Sequence, residues 1–94
     1  MGPAGAMDAR GIVGWNLRRL RVARGLSQER LALAAGIDRA YVGRVERGSE
    51  NVTITTLEAM ASALVVPLAE LFAEPPSGAP RPQPLRAGRK PKAG

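Results

Sequence analysis

Residues Gly25 to Gly48 read GLSQERLALAAGIDRAYVGRVERG, and the spacing within this stretch decides the fold. Ser27 puts a hydroxyl ahead of Gln28-Glu29-Arg30, so it can cap a helix, with Arg30 standing where a complete capping box has Glu. The helix that follows gathers Leu31, Ala32 and Ala35 on one face. Gly36 can then adopt the left-handed conformation that ends a helix without a Cβ penalty. Asp38 can cap the next helix, roughly Asp38 to Arg47, in which Val42 and Val45 face inward while Arg39, Ala40, Gly43, Arg44 and Arg47 face outward. Only Gly36 and Ile37 separate the two helices from that cap. A connection so short forces them to cross steeply and leaves the second one exposed.

On the N-terminal side, Val13, Leu17, Leu20 and Arg24 recur at helical spacing and predict a first helix from about Gly11 to Ala23, stopped by Gly25. On the C-terminal side, Gly48 closes the exposed helix and Ser49 to Thr53 form a loop. Thr53 or Thr55 caps a fourth helix whose buried stripe is Leu57, Met60, Ala61 and Leu64. Pro67 suits the first turn of a last short helix, with Leu68, Leu71 and Phe72 covering the bottom of the core. The expectation is an all-α, five-helix domain over residues 10–74. Residues 1–9, mostly Gly, Ala and Pro, are expected to be a disordered leader, and the Pro- and Gly-rich residues 75–94 a disordered basic tail.

Composition narrows the functions such a domain can serve. At 94 residues there is room for one folded unit, and a unit of this size buries only about 60% of its unfolded surface. Hydrophobic content is 45% but aromatic content only 3%, so the core must be aliphatic. Cys and His are both absent, which removes disulfides, thiolate nucleophiles, imidazole bases and the usual zinc ligands. The carboxylates are scattered among basic residues. No catalytic residue, metal or cofactor is therefore expected, and the chain reads as a non-enzyme. It has neither an apolar run of about 20 residues nor a secretory leader pattern, so a cytoplasmic protein without a membrane partner is expected.

The formal net charge of +6 favours polyanionic partners. Residues 10–74 hold nine Arg against seven acids, whereas residues 75–94 hold five basic residues and no acid, so most of the excess lies in the tail. Within it, Gly88-Arg89-Lys90-Pro91-Lys92 has the outline of a minor-groove hook peptide interrupted by Lys90. A simpler reading is a basic arm attracted to phosphates.

A helix fits the major groove of duplex DNA, and in a pair crossing this way the first helix lies across the phosphate backbone while the second enters the groove. Small Ala40 and Gly43 allow close approach to base edges. Arg39 and Arg44 can donate bidentately to guanine, each such pair contributing about 1–3 kcal/mol of discrimination. A surface arginine is usually only a solvated charge, and the apolar stripes are core rather than ligand sites; it is the steep crossing that singles these two arginines out.

The stretch Gly25 to Gly48 resembles the helix-turn-helix core of the lambda-repressor-like (XRE/Cro-type) family. The likeness runs outward through Leu17-Arg18-Arg19-Leu20-Arg21 and through Asn51-Val52-Thr53-Ile54 to Leu71-Phe72, about sixty residues in all. The resemblance implies that Arg39, Ala40, Gly43 and Arg44 read bases. It implies that Gln28, Tyr41, Arg47, Asn51 and Thr53 contact the DNA backbone, Gln28 also bracing the third helix. It further implies that Arg21 pairs with Glu46, tying the first helix to the third. Where members of the family often carry Lys or Arg after the glycine that ends the third helix, this chain has Ser49 and Glu50.

The expected function is that of a sequence-specific bacterial or phage-type transcriptional regulator, such as a repressor, that acts by occupying double-stranded DNA and has no effector domain of its own. A homodimer on a palindromic operator is expected, with the last helix as its interface, where Val66, Leu68, Leu71 and Phe72 can divide between core and partner. Two other functions are open to the same fold. One is the antitoxin of a toxin–antitoxin pair, with the tail folding on the toxin, although that tail offers Leu85 as its only bulky aliphatic anchor. The other is a protein-interaction module that binds no specific DNA.

Overall fold

The computed structural model describes residues 8–76. Four α-helices and one 3-10 helix follow in the order α1 (Ala9–Ala23), α2 (Gln28–Ala35), α3 (Arg39–Glu46), α4 (Ile54–Leu64) and the 3-10 turn Leu68–Phe72. Among the described residues there is no strand. No helix there is long and apolar enough to cross a membrane.

Local chemistry sets most of these boundaries. Ser27 Oγ accepts the Arg30 N–H at 3.0 Å, Asp38 Oδ2 accepts the Ala40 N–H at 3.1 Å, and Thr53 Oγ1 accepts the Thr56 N–H at 3.1 Å. Each satisfies a backbone donor that the first turn of a helix would otherwise leave unpaired. Thr53, rather than Thr55, is thus the cap of α4. Gly36 ends α2 at φ 72°, and the chain turns tightly enough there for the Ile37 N–H to donate back to Ala32 O at 3.0 Å. The end of α4 has the same geometry on a β-branched residue, Val65, at φ 58°.

Two boundaries depart from expectation. α1 starts at Ala9, two residues before Gly11, because Asp8 Oδ1 accepts the Gly11 N–H at 2.9 Å and caps the helix. The residues added at this end, Ala9 and Arg10, are exposed and lie outside the buried stripe that a periodicity registers. Asp8 and Ala9 therefore join the folded unit, while the leader assignment for residues 1–7 lies outside the described residues. The last element is a 3-10 helix and not a fifth α-helix. Pro67 contributes no side-chain cap, the Glu70 N–H bonds Pro67 O three residues back, and Ala73 is already extended. A segment of five residues closes a turn more readily with i to i+3 bonds than with the longer α ladder. Pro75 and Pro76 continue without helix, and the tail assignment for residues 77–94 lies outside the described residues.

The core is aliphatic, as the composition requires: Leu17, Leu31, Val42, Val45, Met60, Leu64 and Leu71 are sealed from solvent, joined by Val13, Leu20, Ala32, Leu57 and Ala61. α1 packs against α3 and the 3-10 helix, and α2 packs against α3 and α4. α3 is thereby held from two sides. Gly14 lets α1 approach α3 closely, since a Cβ there would overlap the Val45 carbonyl oxygen and come within 2.9 Å of Glu46 O. Leu71 is wholly buried, Val66 and Leu68 are half-buried, and Phe72 is 47% exposed.

One buried polar group had no counterpart in the sequence reading. Asn16 Nδ2 donates to Ala73 O at 2.7 Å and lies 3.3 Å from Leu71 O, fastening the end of the 3-10 turn to α1. Its Oδ1 accepts from Arg19 Nη2 at 2.8 Å, and Arg19 in turn reaches Glu70 Oε1 at 3.2 Å. The Arg19 guanidinium also lies 5.7 Å from the centre of the half-buried Trp15 ring.

Candidate nucleic-acid interface

The inner side of α3 is fixed by an ion pair within the core. Arg21 Nε donates to Glu46 Oε2 at 2.6 Å and Arg21 Nη2 to Glu46 Oε1 at 3.1 Å, a two-point contact with side chains 6% and 1% exposed. Arg21 Nη1 also donates to Leu26 O at 2.7 Å, so one guanidinium anchors both α3 and the turn leading into α2. Gln28 Nε2 completes the cluster by donating to Glu46 Oε1 at 3.1 Å. That bond uses one of the two amide hydrogens and leaves the second for another acceptor.

The outer side of α3 opens onto a groove of about 300 Å³ lined by Gln28, Arg39, Ala40, Gly43, Arg44 and Arg47. Arg39, Ala40, Arg44 and Arg47 are exposed. Gly43 forms the floor and, unlike its expected open position, is itself buried. A Cβ there would meet Arg47 Nη1 at 3.4 Å and Gln28 Oε1 at 3.7 Å. Its lack of a side chain makes room for its neighbours on the groove wall.

Arg44 is the most constrained of the exposed arginines. Its Nε donates to Glu50 Oε1 at 2.8 Å, and its guanidinium carbon lies 5.6 Å from the centre of the Tyr41 ring. The Glu50 hydrogen bond raises the guanidinium pKa above its already high ordinary value. Tyr41 is half-buried, its ring packed against the core. Asn51 and Thr53 are exposed in the loop after α3, with the Thr53 hydroxyl engaged in capping α4. Gln28, Arg39, Ala40, Gly43, Arg44 and Arg47 thus share one groove, while Tyr41, Asn51 and Thr53 lie outside its lining.

By sequence, Glu50 is only a departure from a position that is often basic. Its bond to Arg44 crosses the glycine turn that ends α3, and no periodicity within a helix reports such a contact.

Comparison with known proteins agrees with this architecture. Residues 17–71 match the model of the family described as helix-turn-helix. A hypothetical transcription factor of Neisseria meningitidis is 43% identical over 68 residues, which cover 72% of this chain and 64% of that protein. This chain therefore spans less than two thirds of that relative. The control protein C.SmaI of Serratia marcescens is 47% identical over 58 residues, covering 62% of this chain and 69% of its own length. Among solved structures, the restriction-modification controller protein C.AhdI of Aeromonas hydrophila superposes with a TM-score of 0.66 at 49% identity, covering 67% of this chain and 96% of that one.

Proposed function

The chain belongs to the helix-turn-helix family, and from that premise we propose that it is a DNA-binding transcriptional regulator that recognises its sites with the outward face of α3. The observation that carries this reading is the groove itself. Arg39, Ala40, Gly43, Arg44 and Arg47 line one open surface on a helix whose other side is locked into the core by Val42, Val45 and Glu46. A rigid helix with small residues between exposed guanidinium groups suits the width and the acceptor pattern of the major groove. Arg39, Ala40, Gly43 and Arg44 are the base-facing set in this reading. Arg47, Gln28, Tyr41, Asn51 and Thr53 meet phosphates, which position the helix without choosing sequence.

So short a recognition surface is best used twice. The protein acts as a homodimer on a palindromic operator, with half-sites about 34 Å apart and regulation by occupancy. Exposed Val65 and Phe72, beside half-buried Val66 and Leu68 at the end of the domain, supply apolar surface for the partner. The resemblance to C.SmaI and C.AhdI favours a controller role within a restriction-modification operon.

Selection from a pool of random duplexes tests the reading directly. The wild-type chain enriches a palindrome, and the double change Arg39→Ala with Arg44→Ala flattens that enrichment while leaving general affinity for DNA largely in place. Failure of the wild-type chain to enrich any sequence would overturn it.

A further inference from the structure

We propose that Glu50 is the positioning residue for Arg44, holding its guanidinium so that only the edge formed by Nη1 and Nη2 is presented, and that this edge reads a guanine. The inference rests on the DNA-binding reading of α3 and adds to it a residue outside that helix. Arg44 Nε donates to Glu50 Oε1 at 2.8 Å, and the guanidinium lies over the Tyr41 ring. Two independent contacts therefore fix one long side chain that would otherwise sample many rotamers.

The hydrogen-bonding consequence follows from the shape of the group. A guanidinium can approach guanine side-on, with Nε and one terminal nitrogen, or end-on, with both terminal nitrogens. Glu50 occupies Nε, which removes the side-on approach. Among the described residues no protein partner engages Nη1 or Nη2, so the end-on pair of donors remains available for O6 and N7. Ala40, one helical turn earlier on the same face, leaves space beside that edge.

An exposed ion pair of this kind contributes little to fold stability. As a bare charge, Glu50 opposes binding, because a carboxylate near a phosphate backbone repels it. Its benefit lies in choosing one orientation of Arg44, so it acts on selectivity and against general affinity at once.

Those opposite effects separate in experiment. The full chain and its Arg44→Ala, Glu50→Ala and Glu50→Gln variants are titrated against the duplex enriched by the wild type, against the same duplex with each base pair changed in turn, and against a random-sequence duplex. Arg44→Ala identifies the guanine by abolishing the preference at one position. Glu50→Ala lowers the preference there about tenfold and leaves the other positions unchanged. Glu50→Gln removes the same charge but keeps an acceptor oxygen for Nε, so it retains that preference to within about threefold. Both Glu50 variants bind the random duplex more tightly, and to the same extent.

Equal behaviour of the Ala and Gln variants at the guanine overturns the inference, because charge alone would then account for Glu50. So does an intact guanine preference in Glu50→Ala, or in Arg44→Ala. Each of these outcomes leaves the regulator reading standing, whereas a wild-type chain that enriches nothing removes both.

Discussion

Arg21 and Glu46, 25 positions apart in the chain, meet through two hydrogen bonds of 2.6 and 3.1 Å in the contact between α1 and α3. Breaking such a pair strands a charge where water cannot reach it, which costs about 3–5 kcal/mol. Glu46→Ala is expected to lower the unfolding free energy by that amount in a urea titration. The double variant with Arg21→Ala should be less destabilised than the sum of the single changes, because each removes the other's stranded partner. Strict additivity would show that the two charges do not support one another.

Gly14→Ala places a methyl group against the Val45 and Glu46 carbonyl oxygens. Those atoms are backbone and cannot swing aside, so α1 must move off α3. Alanine gains about 1 kcal/mol of helix propensity over glycine, but overpacking against fixed atoms outweighs it. A net loss of about 2 kcal/mol is expected in thermal unfolding. An unchanged melting temperature would mean that the two helices are not held at this distance.

Arg47 is exposed at the end of α3 and lies along Gly43. If it meets a phosphate, Arg47→Ala weakens binding to specific and random duplexes by a similar factor. It also reduces the slope of log affinity against log salt by about 1. A loss confined to one base position would instead make it a reader of sequence.

Val65 holds a left-handed backbone at φ 58°, ψ 48° with its side chain 71% exposed. A β-branched residue in that region is strained by about 1–2 kcal/mol, and little burial offsets it. Val65→Gly is expected to raise the stability of the monomer by about 1 kcal/mol by differential scanning calorimetry. Under the dimer reading the same change weakens self-association, measured by light scattering. Opposite signs in the two measurements would mark a residue kept for contact at the expense of backbone comfort.

What could be read from the sequence was local. Ser27, Asp38, Thr53 and Gly36 act on groups within a few residues of themselves, so their caps and turns follow from spacing alone. The exposed face of α3 is legible in the same way apart from Gly43, which is buried, since Val42 and Val45 dictate which way the helix turns. Arg21 with Glu46 came only through family resemblance, because no spacing rule links two residues in different helices. Asn16 escaped altogether: besides Ile12 O in its own helix, its acceptors are the carbonyl oxygens of Leu71 and Ala73, which every residue possesses and no sequence advertises. The form of the last turn escaped for a related reason, since Leu68–Phe72 shows the right apolar residues for an α-helix but is too short to commit to one.

Along α3, Val42, Val45 and Glu46 hold the helix in place, whereas Arg39, Ala40 and Arg44 take no part in that task. Mutational tolerance is therefore divided within a single eight-residue element. Its outer positions can drift through many side chains while the scaffold stays folded, so, if that face reads DNA as proposed, a few codon changes reprogramme descendants of this domain toward new targets with no repacking to accompany them.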